Sequence, residues 1–147
     1  MIPKFEKIKK ILVPTDGSDC SLRAAELAIG LAKVFGAEIL VIYVIDTVTL
    51  DELTRGVEKE AVEKELKEKG QRYLNYIVKQ AEKAGLKAKS ILVKGEPHDQ
   101  IVRHAKNLGI DMIVMGTYGR RGAQRILIGS VAERVIEYAP CPVLVVR

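Results

Sequence analysis

Five short apolar runs set the strongest constraint on this chain: ILVP (11–14), EILVIYVI (38–45), KSILVK (89–94), DMIVM (111–115) and PVLVVR (142–147). Each is strand-length and β-branched, and most are continuous rather than alternating. Strands buried on both faces read this way, because helices cover both sides of the parallel sheet they form. Between the runs the apolar spacing changes to three and four residues, the period of a helix. Ser18–Phe35 carries Leu22, Ala25, Ile29 and Ala32 on one stripe, with Gly36 as its stop. Asp51–Ala84 carries Leu53, Val57, Ala61, Leu66, Tyr73, Ile77 and Ala81, with Gly70 as a point of bending and Gly85 as the stop. Its solvent side holds Glu60–Lys64, Glu63–Lys67 and Glu65–Lys69 at i,i+4. PHDQIVRHAKNLG has Pro97 in the first turn and Gly109 at the end. SVAERVIEYA is closed by Pro140 and Pro142.

The order β-α-β-α-β-α-β-α-β predicts an α/β fold with an open, five-stranded parallel sheet and right-handed crossovers. The 147 residues suit one domain, 1–147, with its own core. Asp46–Gly56 reads as the least ordered part, a mobile lid. No apolar stretch approaches the ~20 residues of a membrane span, and MIPKFEKIKKILVP lacks the apolar region of a secretory signal. The expectation is a cytoplasmic protein with no membrane partner. Cys20 and Cys141 share no CxxC or Cys/His spacing, which points to two reduced thiols rather than a disulfide or metal site. Net charge is +5, but EKEAVEKELKEKGQR mixes signs. Only Arg120, Arg121 and Arg125 cluster, and a basic patch confined to one loop suits a small anion, not nucleic acid.

In an open α/β sheet, ligands bind beyond the carboxyl ends of the strands, where strand order reverses. Two polar, glycine-containing segments occupy such positions: PTDGS (14–18) after the first strand and GTYGRRGAQRILIGS (116–130) after the fourth. The second has no Gly-Lys-Ser/Thr and is not a P-loop. Gly116 and Gly119 permit close backbone approach, and Gly129 precedes Ser130, where the last helix should start. Unpaired N–H groups at a helix start attract phosphate. Ser130-Val-Ala-Glu133 also reads as a capping box, which needs no ligand. Asp16 is open to two roles: accepting hydrogen bonds from ribose hydroxyls or ligating a metal, or, with Ser18, capping the first helix. His98 and His104 lie six apart, poor spacing for a shared metal, and read as surface residues. Tyr118 suits stacking on a base or shielding the loop. There is no GxSxG, HExxH or Cys with a local His, so no catalytic residue is assigned.

Gly116, Gly119, Gly129 and Ser130 together form Gly-x2-Gly-x9-Gly-Ser. With ILVPTDGS, the GEP turn, DMIVMGTYGR, GSVAERVI and APCPVLVV, this resembles the ATP-binding subgroup of the universal stress protein family, over essentially the whole chain. The resemblance implies a Rossmann-like fold of the adenine nucleotide alpha hydrolase type, a sheet of order 3-2-1-4-5 with helices on both faces. It implies that Pro14, Thr15 and Asp16 line the adenosine side and that Val44 contacts adenine through its backbone. Met115, Gly116, Gly119, Arg120, Gly129, Ser130 and Val131 would hold ribose and phosphates. The ligand implied is ATP or another adenine nucleotide, with Mg2+ or Mn2+ accompanying the phosphates rather than a protein metal site. Tyr118 stands where His is common in the family, and Arg121 where a small residue is frequent; neither change removes a motif glycine. The family also implies a homodimer through the last strand, which agrees with the apolar edge PVLVVR.

The function expected is a nucleotide-binding stress-response regulator or switch, with slow or no hydrolysis and an unknown protein partner. The alternative is an ATP-cleaving or adenylate-forming enzyme of the related PP-loop type, although PTDGSDCS lacks that loop's paired glycines. A phosphoacceptor receiver domain ranks last, because Asp16 has no acidic cluster beside it.

Overall fold

The computed structural model describes residues 8–55, 58–118 and 128–147. Along the chain these form β1 (Lys10–Pro14), α1 (Asp19–Phe35), β2 (Glu38–Asp46), α2 (Thr47–Leu53), α3 (Lys59–Lys83), β3 (Ala88–Gly95), α4 (Pro97–Asn107), β4 (Met112–Gly116), α5 (Ser130–Tyr138) and β5 (Val143–Val146). Among the described residues there is one five-stranded parallel sheet, in the order β3-β2-β1-β4-β5. The chain steps one way from β1 to β3, then crosses back to β4 and steps the other way to β5. Right-handed crossovers then put the helices of the two halves on opposite faces. The packing follows that rule: α1 and α3 share one core with Ile11, Val13, Ile39 and Val41. Helices α4 and α5 share the other with Leu12, Leu40 and Ile42. Neighbouring residues of β1 and β2 thus alternate between two buried faces, which is why their apolar runs are unbroken.

Helix α1 lies against β1, β4 and β5 through Cys20, Ser21, Ala24, Ala25, Ala28 and Ala32, all buried. The expected stripe is half right: the alanines form the contact, while Leu22 and Ile29 pack at its margin. Its stop is as expected, with Gly36 left-handed at φ 67° and its N–H bonded to the Ala32 carbonyl. No helix among the described residues is long and apolar enough to cross a membrane.

Several expectations are corrected. The single helix read over Asp51–Ala84 is two, α2 and α3. Leu53 ends α2 and is 51% exposed; Val57 lies outside the described residues. The Thr54 hydroxyl donates to the Leu50 carbonyl at 2.8 Å, tying off the end of α2. Most of the expected lid, Asp46–Gly56, is therefore helix, with the Asp46 carboxylate capping the Val48 amide at 3.0 Å and Leu50 fully buried. Gly70 does not interrupt α3, whose buried stripe is Gly70, Leu74, Ile77 and Ala81. Glu63 pairs across to Lys94 of β3 at 2.8 Å rather than along the helix. KSILVK forms an outer strand, with Lys89, Ser90 and Lys94 exposed.

Gly70 is required by packing. A β-carbon there would stand 2.3 Å from the Tyr43 ring, and Tyr43 is itself buried, with its centroid 6.1 Å from that of Tyr73. Gly30, inside α1, has nothing within 4 Å of its missing β-carbon. The same substitution should therefore act in opposite directions at the two sites. Gly30→Ala should stabilise by roughly 0.5–1 kcal/mol through helix propensity. Gly70→Ala should destabilise by roughly 1–3 kcal/mol, because overpacking exceeds the propensity gain. Urea unfolding of both variants measures this; equal stabilisation would contradict the Tyr43 contact.

Candidate functional site

The reversal of strand order lies between β1 and β4, so the crevice of an α/β sheet opens beyond Pro14 and Gly116. The PTDGS segment leaves β1 there. Pro14 is buried and the Thr15 amide donates to the Ile42 carbonyl at 2.9 Å, holding the segment to β2. Thr15 is 6% exposed, and its hydroxyl shares a 3.1 Å hydrogen bond with that of Ser21. Asp16 Oδ1 accepts the Ser18 amide at 2.9 Å, and Ser18 Oγ accepts the Ser21 amide at 3.2 Å. Ser18, not Asp16, is thus the cap of α1, and Asp16 sets the turn that delivers it.

Gly17 lies in that turn at φ 80°. A β-carbon on it would stand 2.2 Å from the ring of Tyr73, which reaches over from α3. This places Tyr73 against the turn that follows β1, a contact that helical spacing cannot reveal because it is made between distant segments.

Val44 sits near the end of β2, half-buried. The Glu38 amide and the Ile42 carbonyl are both bonded toward β1. Strand alternation then points the Val44 peptide the same way, while the β1–β2 ladder stops at Pro14 and Ile42. The backbone of Val44 therefore faces the crevice past the end of β1. Asp46, two residues further on, serves as the cap of α2.

On the other wall, Met115 is buried and Gly116 closes β4. A β-carbon on Gly116 would lie 2.9 Å from Cys20 Sγ and 3.1 Å from the Cys20 backbone. Gly119, Arg120, Arg121 and Arg125 lie outside the described residues. The chain re-enters before α5, with Gly129 extended at φ −76° and ψ 161° as its N-cap. The expected capping box is not formed: Ser130 is the first helical residue, exposed, and the cap residue, Gly129, brings no side-chain acceptor. The first bond of the helix runs from the Glu133 amide to the Gly129 carbonyl. Among the described residues, the early amides of α5, including Val131, thus start without the side-chain acceptor that α1 has. Of the two helices that begin at the reversal point, α1 is capped by its own serine and α5 is not.

Two residues stand out that the sequence does not mark. Thr117, 5% exposed, joins the wall of the crevice to three elements. Cys20, two residues into the capped start of α1, is one of its partners. Burial raises the Cys20 thiol, but hydrogen bonds from Tyr118 and Thr117 and the charge of Arg23 leave it below the usual thiol value. Burial and the nearby Asp111 carboxylate raise Cys141. Both cysteines are free. The histidines are half-buried rather than superficial: His98 lies 3.3 Å from Glu96, and His104 Nδ1 lies 2.7 Å from the Gln100 carbonyl.

A doubly wound parallel sheet with a reversal point between β1 and β4 is the open α/β architecture, whose ligand crevice lies at the carboxyl ends of the strands. This chain belongs to the universal stress protein family, whose model matches residues 7–147. It is 49% identical over 139 residues to universal stress protein MJ0531 of Methanocaldococcus jannaschii, covering 95% of this chain and 82% of that one. Against MJ0577 of the same organism it is 35% identical over 157 residues, covering 95% and 94%. The solved structure of MJ0577 superposes with a TM-score of 0.84 at 34% identity over 95% of each chain. A universal stress protein solved in complex with cAMP superposes with a TM-score of 0.68 at 26% identity, covering 95% of this chain and 97% of that one.

The Gly17–Tyr73 contact yields a test of how the Asp16 turn is held. Gly17→Ala should destabilise by roughly 1–3 kcal/mol, from left-handed strain together with the clash. In a Tyr73→Ala background the clash is gone, and the cost should fall to the strain alone, about 1–2 kcal/mol. A double-mutant cycle by denaturant unfolding measures the difference; strict additivity would show that the ring does not press on the turn.

Proposed function

We propose that this chain binds ATP, or another adenine nucleotide, in the crevice between β1 and β4 and acts as a regulatory switch in a stress response. The observation that carries the proposal is the start of α5. Among the described residues its first amides have no side-chain cap; they lie at the reversal point of the sheet and follow the Gly116/Gly119/Gly129–Ser130 spacing. Such a helix start binds phosphate through N–H groups and the helix dipole, with no lysine. The related protein solved with cAMP supports an adenine nucleotide as the ligand class.

In this reading Pro14, Thr15 and Asp16 flank the adenosine and the Val44 peptide meets the base. Met115, Gly116, Gly119, Arg120, Gly129, Ser130 and Val131 surround the ribose and phosphates. Among the described residues no group of three or more His, Cys, Asp or Glu side chains can hold a metal. A Mg2+ or Mn2+ ion would therefore enter mainly on the phosphates. The nucleotide is held rather than consumed, and its occupancy biases the surface offered to a protein partner. Strand β5 is an outer strand, and Leu144 on it is 37% exposed. We place a homodimer contact along that edge, in a cytoplasmic protein.

Calorimetry should show ATP binding at micromolar affinity or better, with at most slow ADP production. A β-carbon at Gly129 would already stand 3.1 Å from the Thr117 carbonyl and from the Tyr118 backbone. Gly129→Leu should therefore abolish binding while circular dichroism stays native. Absence of binding by the wild-type chain would sink the proposal; many turnovers per minute in pure protein would favour the ATP-cleaving alternative. Sedimentation at micromolar concentration should give a dimer, and a monomer there would remove the β5 contact.

A further inference from the structure

Thr117 follows directly on Gly116, and each of its polar groups is committed to a different element. Its amide donates to the Val146 carbonyl of β5 at 2.9 Å, and its own carbonyl accepts the Gly129 amide. Its hydroxyl lies 3.7 Å from Cys20 Sγ. Cys20 in turn donates its thiol proton to the same Val146 carbonyl at 3.1 Å. Three residues further along α1, Arg23 Nε donates to the main-chain oxygen of Arg147 at 2.8 Å, a second tie between α1 and the end of β5. The two ends of the 116–129 loop are therefore joined through one buried threonine, and that threonine is fixed by a carbonyl it shares with a thiol.

We propose that Cys20 is a positioning residue for this loop: by sharing the Val146 carbonyl and touching Thr117, it fixes the spacing between Gly116 and the start of α5. It acts on the loop through Thr117 and the Val146 carbonyl. The proposal rests on the nucleotide reading given above. The physical basis is that the part-buried Val146 carbonyl holds the Thr117 amide and the Cys20 thiol together, so removing the thiol takes away one of the two bonds at that carbonyl and the contact that ties the Thr117 hydroxyl to α1. A thiol suits the position because the approach of Gly116 leaves space for sulfur and no branched side chain. A serine retains the donor on a shorter arm; an alanine removes it.

The test uses the full chain with Cys20→Ala and Cys20→Ser, and Cys141→Ala as a control thiol. Amide hydrogen exchange at Thr117 and Gly129, without nucleotide, reports the clasp itself; calorimetry with ATP reports its consequence. Cys20→Ala should speed exchange at both amides and weaken ATP binding, each by about two- to tenfold, the range one hydrogen bond supplies. Cys20→Ser should recover most of both effects, although its global stability need not match the wild type, and Cys141→Ala should change neither. Unchanged exchange in Cys20→Ala overturns the proposal, as does a serine variant no better than alanine. A wild-type chain that binds no adenine nucleotide overturns the functional reading, and the exchange data alone then decide whether the clasp exists.

Discussion

The parallel pairing of β1 with strands on both of its edges is the constraint from which the rest of the arrangement follows. Ile11, Leu12 and Val13 are fully buried, bonded to β2 on one side and β4 on the other. A parallel neighbour can be reached only by a crossover, and crossovers are right-handed. With the chain departing to one side of β1 and returning on the other, the helices must divide between the faces. The turns after β1 and β4 must then diverge from a common point. That divergence opens the crevice; no local sequence signal is needed to create it. What the sequence adds is the chemistry of the two turns.

Much of the architecture is legible because β-branched continuity and helical spacing are local properties. ILVP, EILVIYVI and DMIVM become the buried strands for the reason their composition suggests. The break between α2 and α3 is less legible. Apolar spacing at Leu53, Val57 and Ala61 continues across Gly56, so periodicity reads one helix where the Thr54 hydroxyl closes off the first. Gly70 misleads in the opposite sense. Inside a helix it reads as weakness, but its function is to admit the Tyr43 ring, and only the fold brings a strand tyrosine to that position. KSILVK looks like a core strand because Ile91, Leu92 and Val93 dominate it, yet its place at the sheet margin leaves both lysines in solvent.

The candidate site divides in the same way. The motif positions can be read from spacing, but the start of α5 is decided by tertiary contact. Ser130 and Glu133 have the spacing of a capping box, which would require Ser130 to stand outside the helix as its cap. Gly129 takes that place instead, because its amide is bonded to the Thr117 carbonyl and a β-carbon there would crowd Thr117 and Tyr118. Glycine alone fits comfortably, and the serine moves into the first turn. The glycine that looks like flexibility in the sequence is thus the residue that removes a side-chain acceptor from a helix start. Thr117 and Cys20 could not have been singled out, since neither belongs to a spacing rule. Their importance comes from β5, more than a hundred residues away from Cys20, ending beside them.

An uncapped helix start has a consequence for selectivity. Backbone amides recognise phosphate oxygens and a negative charge, and they do not distinguish a triphosphate on adenosine from one on another base. In the proposed site, discrimination would come from the opposite wall, where the Val44 peptide lies beyond the last rung between β1 and β2. A peptide group offers one donor and one acceptor at fixed spacing, enough to favour one base edge over another without a side chain. The two walls therefore divide the work proposed for the site: α5 supplies affinity for the phosphates and β2 supplies the choice of base. They are held at a fixed separation by β1 and β4, so a change in the Asp16 turn or in the Thr117 clasp alters both together. In the proposed reading, a nucleotide that spans both walls would bias the fold through its occupancy, a shift that needs differential binding and not cleavage.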